Sequence, residues 1–261
     1  MPIGVQTYTT RNRVYNAKQA EYAYKKYAEM GYDGVEAGMG GRFMTIEEDL
    51  ALLGKYGLKV ADVYGDLTKP DEVMRRAEKY GVKIIGAPAV PGEMMFSPEG
   101  FQAHAERLNE LAKPFRGTGF RLQYHNHSNE FRNFPQLGGK PGMAILIEEM
   151  DPDVYVFELD VYWMSAAGCD PVQWIEKVSG RIPVIHFKDL AIDPKAELHE
   201  MGSAPRRFAE IGQGNINWPP IAEACARAGV QWYCVEQDHT VLDEFECLRI
   251  SVDYMRGIGI K

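Results

Sequence analysis

The chain has 261 residues, 45% apolar and 25% charged, which provides a substantial core and suits one large α/β domain better than two ordinary ones. Its formal net charge of -8 repels phosphate backbones and anionic lipid, arguing against nucleic acid or a membrane surface as main partner. Four cysteines without C-x-x-C spacing argue against a zinc module and for reduced thiols in a cytoplasmic protein.

The chain opens Ile3-Gly4-Val5-Gln6, which reads as a strand, and no basic-then-apolar leader stands ahead of it. No apolar run approaches the roughly 18 residues of a membrane span. A phrase then recurs: a charge-rich helical segment, a glycine, and a short apolar run. It occurs at Gly31 before Gly34-Val35-Glu36, at Gly57 before Val60-Ala61-Asp62 and at Gly81 before Ile84-Ile85-Gly86. It returns at Gly119 before Leu122-Gln123-Tyr124, at Gly180 before Ile182-Pro183-Val184 and at Gly229 before Trp232-Tyr233-Cys234. Glycine stops a helix because it adopts the left-handed conformation without a Cβ clash. Asp151-Pro152 takes its place before Val154-Tyr155-Val156-Phe157. Thr45 with Glu48 reads as a capping box, and Ser97-Pro98 and Asp170-Pro171 as a cap followed by an N1 proline.

The spacing predicts eight strands, near 3–8, 33–37, 59–64, 83–87, 120–126, 154–160, 182–188 and 231–237, separated by helices, with a last helix from about 242 to 256. Strands alternating with helices mean parallel βαβ units. Eight of them in one domain over 1–261 predict a single (β/α)8 TIM barrel with its site at the C-terminal mouth. A doubly wound open sheet is the rival, weakened because no G-x-G-x-x-G follows the first strand. The longest loop, 191–217, reads as a lid or mouth loop, and His104, inside a charged helix, as surface.

Polar residues gather at the ends of the last four strands. The phrases are Gln123-Tyr124-His125-Asn126-His127 with Glu130 beyond, Phe157-Glu158-Leu159-Asp160, Ile185-His186-Phe187-Lys188-Asp189 and Val235-Glu236-Gln237-Asp238. Side chains alternate across a strand. Leu122, Tyr124, Phe157, Leu159, Ile185 and Phe187 therefore suit the helical shell, while Gln123, His125, His127, Glu158, Asp160, His186 and Lys188 face the axis. Inward charges need partners or a metal, since isolated burial is costly. Asp160, His186 and Glu236 converge from three neighbouring strands, and Glu130 is placed to close the site from a loop. Three carboxylates and an imidazole suit one divalent ion, Mn²⁺, Co²⁺, Zn²⁺ or Mg²⁺. The alternative is an internal salt-bridge network of Lys188, His186 and acids.

Five phrases resemble the xylose-isomerase-like barrels, in particular their sugar phosphate isomerase/epimerase branch, with inosose dehydratase-like and dehydroshikimate dehydratase-like proteins as kin. They are Tyr124-His125-Asn126-His127-Ser128-Asn129-Glu130-Phe131, Phe157-Glu158-Leu159-Asp160-Val161-Tyr162-Trp163, His186-Phe187-Lys188-Asp189, Ile211-Gly212-Gln213-Gly214-Asn215-Ile216-Asn217-Trp218 and Val235-Glu236-Gln237-Asp238. Their order and spacing hold from first strand to last. The resemblance implies a Glu-Asp-His-Glu metal site at Glu130, Asp160, His186 and Glu236. In many members the first glutamate sits at the tip of strand five, where this chain has His125 and His127, so either Glu130 swings in or a histidine replaces it.

Such a site implies a sugar isomerase or epimerase acting on a small keto or aldo sugar. With a carbonyl and its neighbouring hydroxyl polarised by the ion, one group removes the adjacent proton and another returns it, through an enediolate. Glu236 is the first choice for one role, and Glu130 or His127 for the other. Lys188 either steadies the oxyanion or pairs with Glu158. His125, Glu158, Trp163 and Glu36 are the expected substrate contacts, Trp163 otherwise packing a helix and Glu36 otherwise being solvated. Expelling a β-hydroxyl after the same deprotonation gives the alternative, a lyase on an inosose-like or 3-keto-sugar substrate. A nuclease on this barrel would need a histidine-rich three-zinc cluster; the chain has six histidines, with His104, His199 and His239 outside the predicted strands. A non-catalytic sugar-binding barrel is the remaining class. Arg206 and Arg207 either grip a phosphate or are surface charges, so the sequence leaves phosphorylation of the sugar open; a homo-oligomer is compatible with it but no interface is named.

Overall fold

The computed structural model describes residues 1–193 and 205–260. Eight short strands line up in parallel: β1 Ile3–Gln6, β2 Gly34–Glu36, β3 Lys59–Val60, β4 Ile84–Gly86, β5 Arg121–His125, β6 Tyr155–Asp160, β7 Val184–Phe187 and β8 Trp232–Val235. Their order is β3-β2-β1-β8-β7-β6-β5-β4. The two ends meet just past β3, where Val63 bridges Ile85: the Val63 N–H donates to Ile84 at 3.2 Å and the Gly86 N–H donates to Val63 at 2.9 Å. That bridge closes the ring into the expected (β/α)8 barrel, each strand lying inside or overlapping its predicted span.

Around the ring stand α1 Ala17–Met30, α2 Ile46–Tyr56, α3 Pro70–Tyr80, α4 Pro98–Ala112, α5 Gly142–Glu149, α6 Val161–Ala166, α7 Pro171–Lys177, α8 Trp218–Ala228 and α9 Glu244–Gly257. Their ends follow the predicted signals. Thr45 and Glu48 form a reciprocal capping box, and Ser97 and Asp170 accept N–H bonds as caps. Gly31, Gly57, Gly81 and Gly229 are left-handed C-caps. Gly119 and Gly180 depart from the pattern, standing beyond the helix end in the turn that follows, because α4 passes into a 3₁₀ turn at Lys113–Phe115 and α7 stops at Lys177.

Two antiparallel hairpins were not legible in the sequence. Asn133–Phe134 pairs with Lys140–Pro141, and Asp189–Ile192 pairs with Arg206–Ala209. The second overlaps the loop read as a lid at 191–192 and Arg206–Ala209; residues 194–204, His199 included, lie outside the described residues. Among those described, no helix is long and apolar enough to cross a membrane.

Alternation along the strands splits the interior in two. Leu122, Tyr124, Phe157, Leu159, Ile185 and Phe187 are fully buried in the layer between barrel and helices. Inside the barrel, Ala61, Val184 and Cys234 pack with Trp232 as a small apolar floor. Gly34 makes room for it: a Cβ there would fall 2.8 Å from the Trp232 ring and 2.3 Å from the Lys59 carbonyl. The inward positions nearer the C-terminal mouth are polar.

Candidate active site

His186 stands at the centre of the mouth, 2% exposed, at the inward-facing end of β7. Its Nε2 lies 2.6 Å from Glu36 Oε2 and 3.2 Å from Glu158 Oε1; its Nδ1 lies 3.1 Å from Glu236 Oε2 and 3.7 Å from Asp160 Oδ2. On the Nε2 side of the ring, the Tyr64 hydroxyl donates to Glu36 Oε1 and Glu158 Oε2, both at 3.0 Å, and the Gln123 amide donates to Asp62 and Glu158, both at 2.9 Å. The Gln6 amide also donates to Glu36. The chain reaches this arrangement through Ala37, whose φ of 57° is left-handed and is held by its N–H on Asp62 and by the Thr7 hydroxyl on its carbonyl. Above the ring opens a cavity of about 490 Å³, walled by Tyr8, Tyr64, Ala87, Ala89, His125, His127, Glu236 and Asp238 among others.

Four side chains, His125, Asp160, His186 and Glu236, offer ligand atoms that all lie within 4.8 Å of one another. In each of them one buried atom lacks a hydrogen bond: His125 Nδ1, Asp160 Oδ2, His186 Nδ1 and Glu236 Oε2. Lys188 Nζ is nonetheless close to two of them, 2.6 Å from Glu236 Oε2 and 3.1 Å from Asp160 Oδ2, and reaches Asp238 at 2.7 Å. Six carboxyl groups (Glu36, Asp62, Glu158, Asp160, Glu236, Asp238) surround Lys188, His186 and His125. Burial, Glu36 and Glu158 raise Asp62 well above the usual carboxylate range. Burial and Glu158 push the Glu36 carboxyl up to about 7. Against burial, His186 and His125 hold Glu158 low, and Lys188 does the same for Asp160. Against burial again, Glu36, Glu158 and Glu236 hold the His186 imidazolium well above its usual range. His127 goes the other way: burial and His125 lower it, keeping its ring neutral. Imidazole nitrogens and carboxylate oxygens converging here, two of the oxygens also within reach of Lys188, fit a divalent cation of the borderline or hard kind.

The family model of the xylose isomerase-like TIM barrels matches residues 24–257. The chain belongs to that family. The inosose dehydratase of Mesomycoplasma hyopneumoniae (strain J) is 25% identical over 274 residues, covering 91% of this chain and 88% of its own. Among solved structures, a sugar phosphate isomerase/epimerase from Parabacteroides distasonis is similar at a TM-score of 0.75 and 23% identity, over 98% of this chain and 93% of that one. A xylose isomerase-like TIM barrel protein from Mycobacterium smegmatis, in complex with magnesium, is similar at 0.68 and 16% identity, over 98% and 96%.

Within this xylose isomerase-like barrel the anticipated residues fall in different places. His125, Asp160, His186 and Glu236 come together. Glu130 does not join them: its Oε1 accepts from the Tyr124 hydroxyl at 2.9 Å and its Oε2 from the His127 N–H at 3.0 Å. Tyr124 belongs to the outward face of β5, so Glu130 sits between barrel and shell. His127 lines the cavity and packs against Trp163, ring centroids 5.5 Å apart. Trp163 also meets Phe208 of the hairpin. Glu36 and Glu158 are fully buried beneath His186, under the positions where substrate contacts were expected. Lys188 pairs with Asp160, Glu236 and Asp238, and no contact to Glu158 is present among the described residues. Arg206 donates to the Ala166 carbonyl and Arg207 to that of Phe208. Sequence reading missed Gln6 and Tyr64, whose polar ends reach the site from β1 and the segment after β3. His104, read as surface, is 1% exposed, with Nε2 3.4 Å from the Pro88 carbonyl. Its helical stripe, Phe101, Ala105, Leu108 and Ala112, was the signal that places it inside.

Proposed function

We propose that the chain is a divalent-metal-dependent enzyme that moves a proton next to the carbonyl of a small keto or aldo sugar, in the manner of an isomerase or epimerase. The observation that supports this is the convergence at the barrel mouth of His125, Asp160, His186 and Glu236, each offering a ligand atom within 4.8 Å of the others. These residues would hold the ion; Mn²⁺, Co²⁺, Zn²⁺ and Mg²⁺ all suit the set. When bound, the ion supplies Lewis-acid polarisation of a carbonyl oxygen. Glu236 and the neutral ring of His127 flank the cavity and are the groups suited to take up and return the substrate proton. Lys188, held charged by three carboxylates, supplies positive potential toward a developing oxyanion. Trp163 and the hairpin ring Phe208 help keep water from this side.

Elimination is the second reading, favoured by the paired imidazoles. His125 and His127 stand edge to face at 4.9 Å, and in this reading His125 is released from the ion so that the pair supplies an acid and a base. The inosose dehydratase relatives agree with it. Both readings share the first step, so one experiment tests it. The Mn²⁺-loaded protein is incubated in D₂O with ketoses, aldoses and inososes, and the C–H signals beside the carbonyl are followed by NMR. Exchange with a new sugar supports isomerisation; exchange with a conjugated, ultraviolet-absorbing product supports elimination. A protein that holds the metal and exchanges no proton on any of them is not this enzyme.

A further inference from the structure

We infer that the cavity selects an uncharged, hydroxyl-rich keto compound and turns away its phosphate esters. This rests on the sugar reading above for the class of ligand, and adds to it the charge of that ligand.

The argument begins with the cations. A phosphate dianion buried beside carboxylates needs a free guanidinium or ammonium, or a cradle of N–H groups, to offset what it loses in hydration. Among the described residues, the cations near this mouth are already engaged. Lys188 is 1% exposed; its Nζ is shared by Glu236, Asp238 and Asp160 at 2.6 to 3.1 Å, and the rings of Trp163 and Phe208 stand 5.3 and 5.7 Å away. Arg11 lies flat on the Tyr8 ring at 3.8 Å and donates to the carbonyls of Tyr8 and Asp238. Arg206 and Arg207 on the hairpin donate to main-chain carbonyls.

What the cavity does present is the complement of a neutral sugar. Glu236 and Asp238 line it as carboxylates, acceptors for vicinal hydroxyl groups and repellents of a second anion. Ala87 and Ala89, which follow β4, and the ring of Tyr8, which follows β1 beside β8, offer apolar surface to the C–H face of a sugar ring. Hydroxyl edge to acids and C–H face to alanines is a fit that a phosphoryl group would spoil at either end.

The test uses the full chain loaded with Mn²⁺ and matched pairs: fructose with fructose 6-phosphate, ribulose with ribulose 5-phosphate, an inosose with its phosphate, and inorganic phosphate alone. Binding is read by calorimetry and by the shift in melting temperature. The uncharged member of at least one pair should bind on the order of tenfold tighter than its ester, and inorganic phosphate should shift nothing. Replacing the charge in Asp238→Asn should narrow that ratio, whereas a merely structural role for Asp238 would weaken both ligands alike. An ester that binds as tightly as its parent, or a panel from which no uncharged compound binds, overturns the inference. Deuterium exchange in the same samples keeps the two claims apart. Tight binding of the uncharged sugar without exchange leaves this inference standing and removes the proton-transfer chemistry; exchange confined to a phosphate ester does the reverse.

Discussion

His186 Nε2 stands 2.6 Å from Glu36 Oε2, and this contact, made across the barrel from β2, turns the opposite nitrogen toward Asp160 and Glu236. Glu36 is itself immobilised by Tyr64 and Gln6. A histidine that binds metal through one nitrogen is oriented by the partner of the other. Glu36→Leu should therefore weaken Mn²⁺ binding by about 10- to 100-fold, while Glu36→Gln, which keeps an acceptor, should lose much less. Electron paramagnetic resonance of free Mn²⁺ measures both, with circular dichroism to check folding. An unchanged dissociation constant in a folded Glu36→Leu protein would show that the contact is only structural.

Asp189 is buried at the base of the hairpin and, among the described residues, has no cation beside it. Its Oδ1 accepts from the Leu190 N–H at 2.7 Å and Ile216 N–H at 3.2 Å. Its Oδ2 accepts from Gly212 N–H at 2.9 Å, Gly214 N–H at 3.2 Å and the Trp218 indole at 2.8 Å. Gly214 has no room for a side chain, since a Cβ would fall 2.2 Å from Asp189 Oδ1. Asp189→Ala strands these donors, at a cost on the order of 3 kcal/mol, readable by urea denaturation. A loss below about 1 kcal/mol would mean that water replaces the carboxylate without penalty.

The strands and the outward and inward faces were legible because a strand's alternation and a helix's glycine stop are local signals. Asp160, His186 and Glu236 followed from them, each sitting one strand from the next at one depth. Glu130 did not follow, because its position depends on the 3₁₀ turn Asn129–Phe131, which carries it out to Tyr124. Tyr64 stands at the end of the predicted strand 59–64, but a phenol is neither a charge nor a usual metal ligand, so nothing singled it out; the observed β3 ends at Val60 and the bridge at Val63 carries the segment on up the barrel. The hairpin strand Arg206–Ala209 has no turn signature of its own to announce it, and pairs with residues directly after β7.

Acid stability carries the mark of His104. Burial lowers its basicity below the usual value near 6.5, outweighing the Pro88 carbonyl. In the unfolded chain it takes up a proton as pH falls through about 6.5, while in the folded protein it resists. Its contribution is thus neutral above that pH and turns against folding below it. His104→Gln should give a shallower fall in melting temperature between about pH 7 and 5.5, whatever its stability at pH 7. Parallel melting curves for the two proteins across that window would remove His104 from the account.

The identity of the first metal ligand separates His125 from Glu130. For Glu130 to coordinate, it must leave both the Tyr124 hydroxyl and the His127 N–H. Tyr124 is fully buried, and burial together with Glu130 holds its proton far beyond the usual phenol range, so the hydroxyl would be left without its acceptor. His125 is already part of the cluster: it offers a ligand atom within 4.8 Å of those of the other three groups, with its Nδ1 3.5 Å from Glu158 Oε2. His125→Ala should therefore cost metal affinity, by at least about 100-fold if the outer partners alone are worth 10- to 100-fold. Glu130→Ala should keep the metal and cost about 1–3 kcal/mol of stability from the stranded donors. Elemental analysis after purification without chelator, with a melt on each variant, reads both quantities. Metal lost from Glu130→Ala and retained in His125→Ala would reverse the assignment and place the glutamate in the coordination sphere.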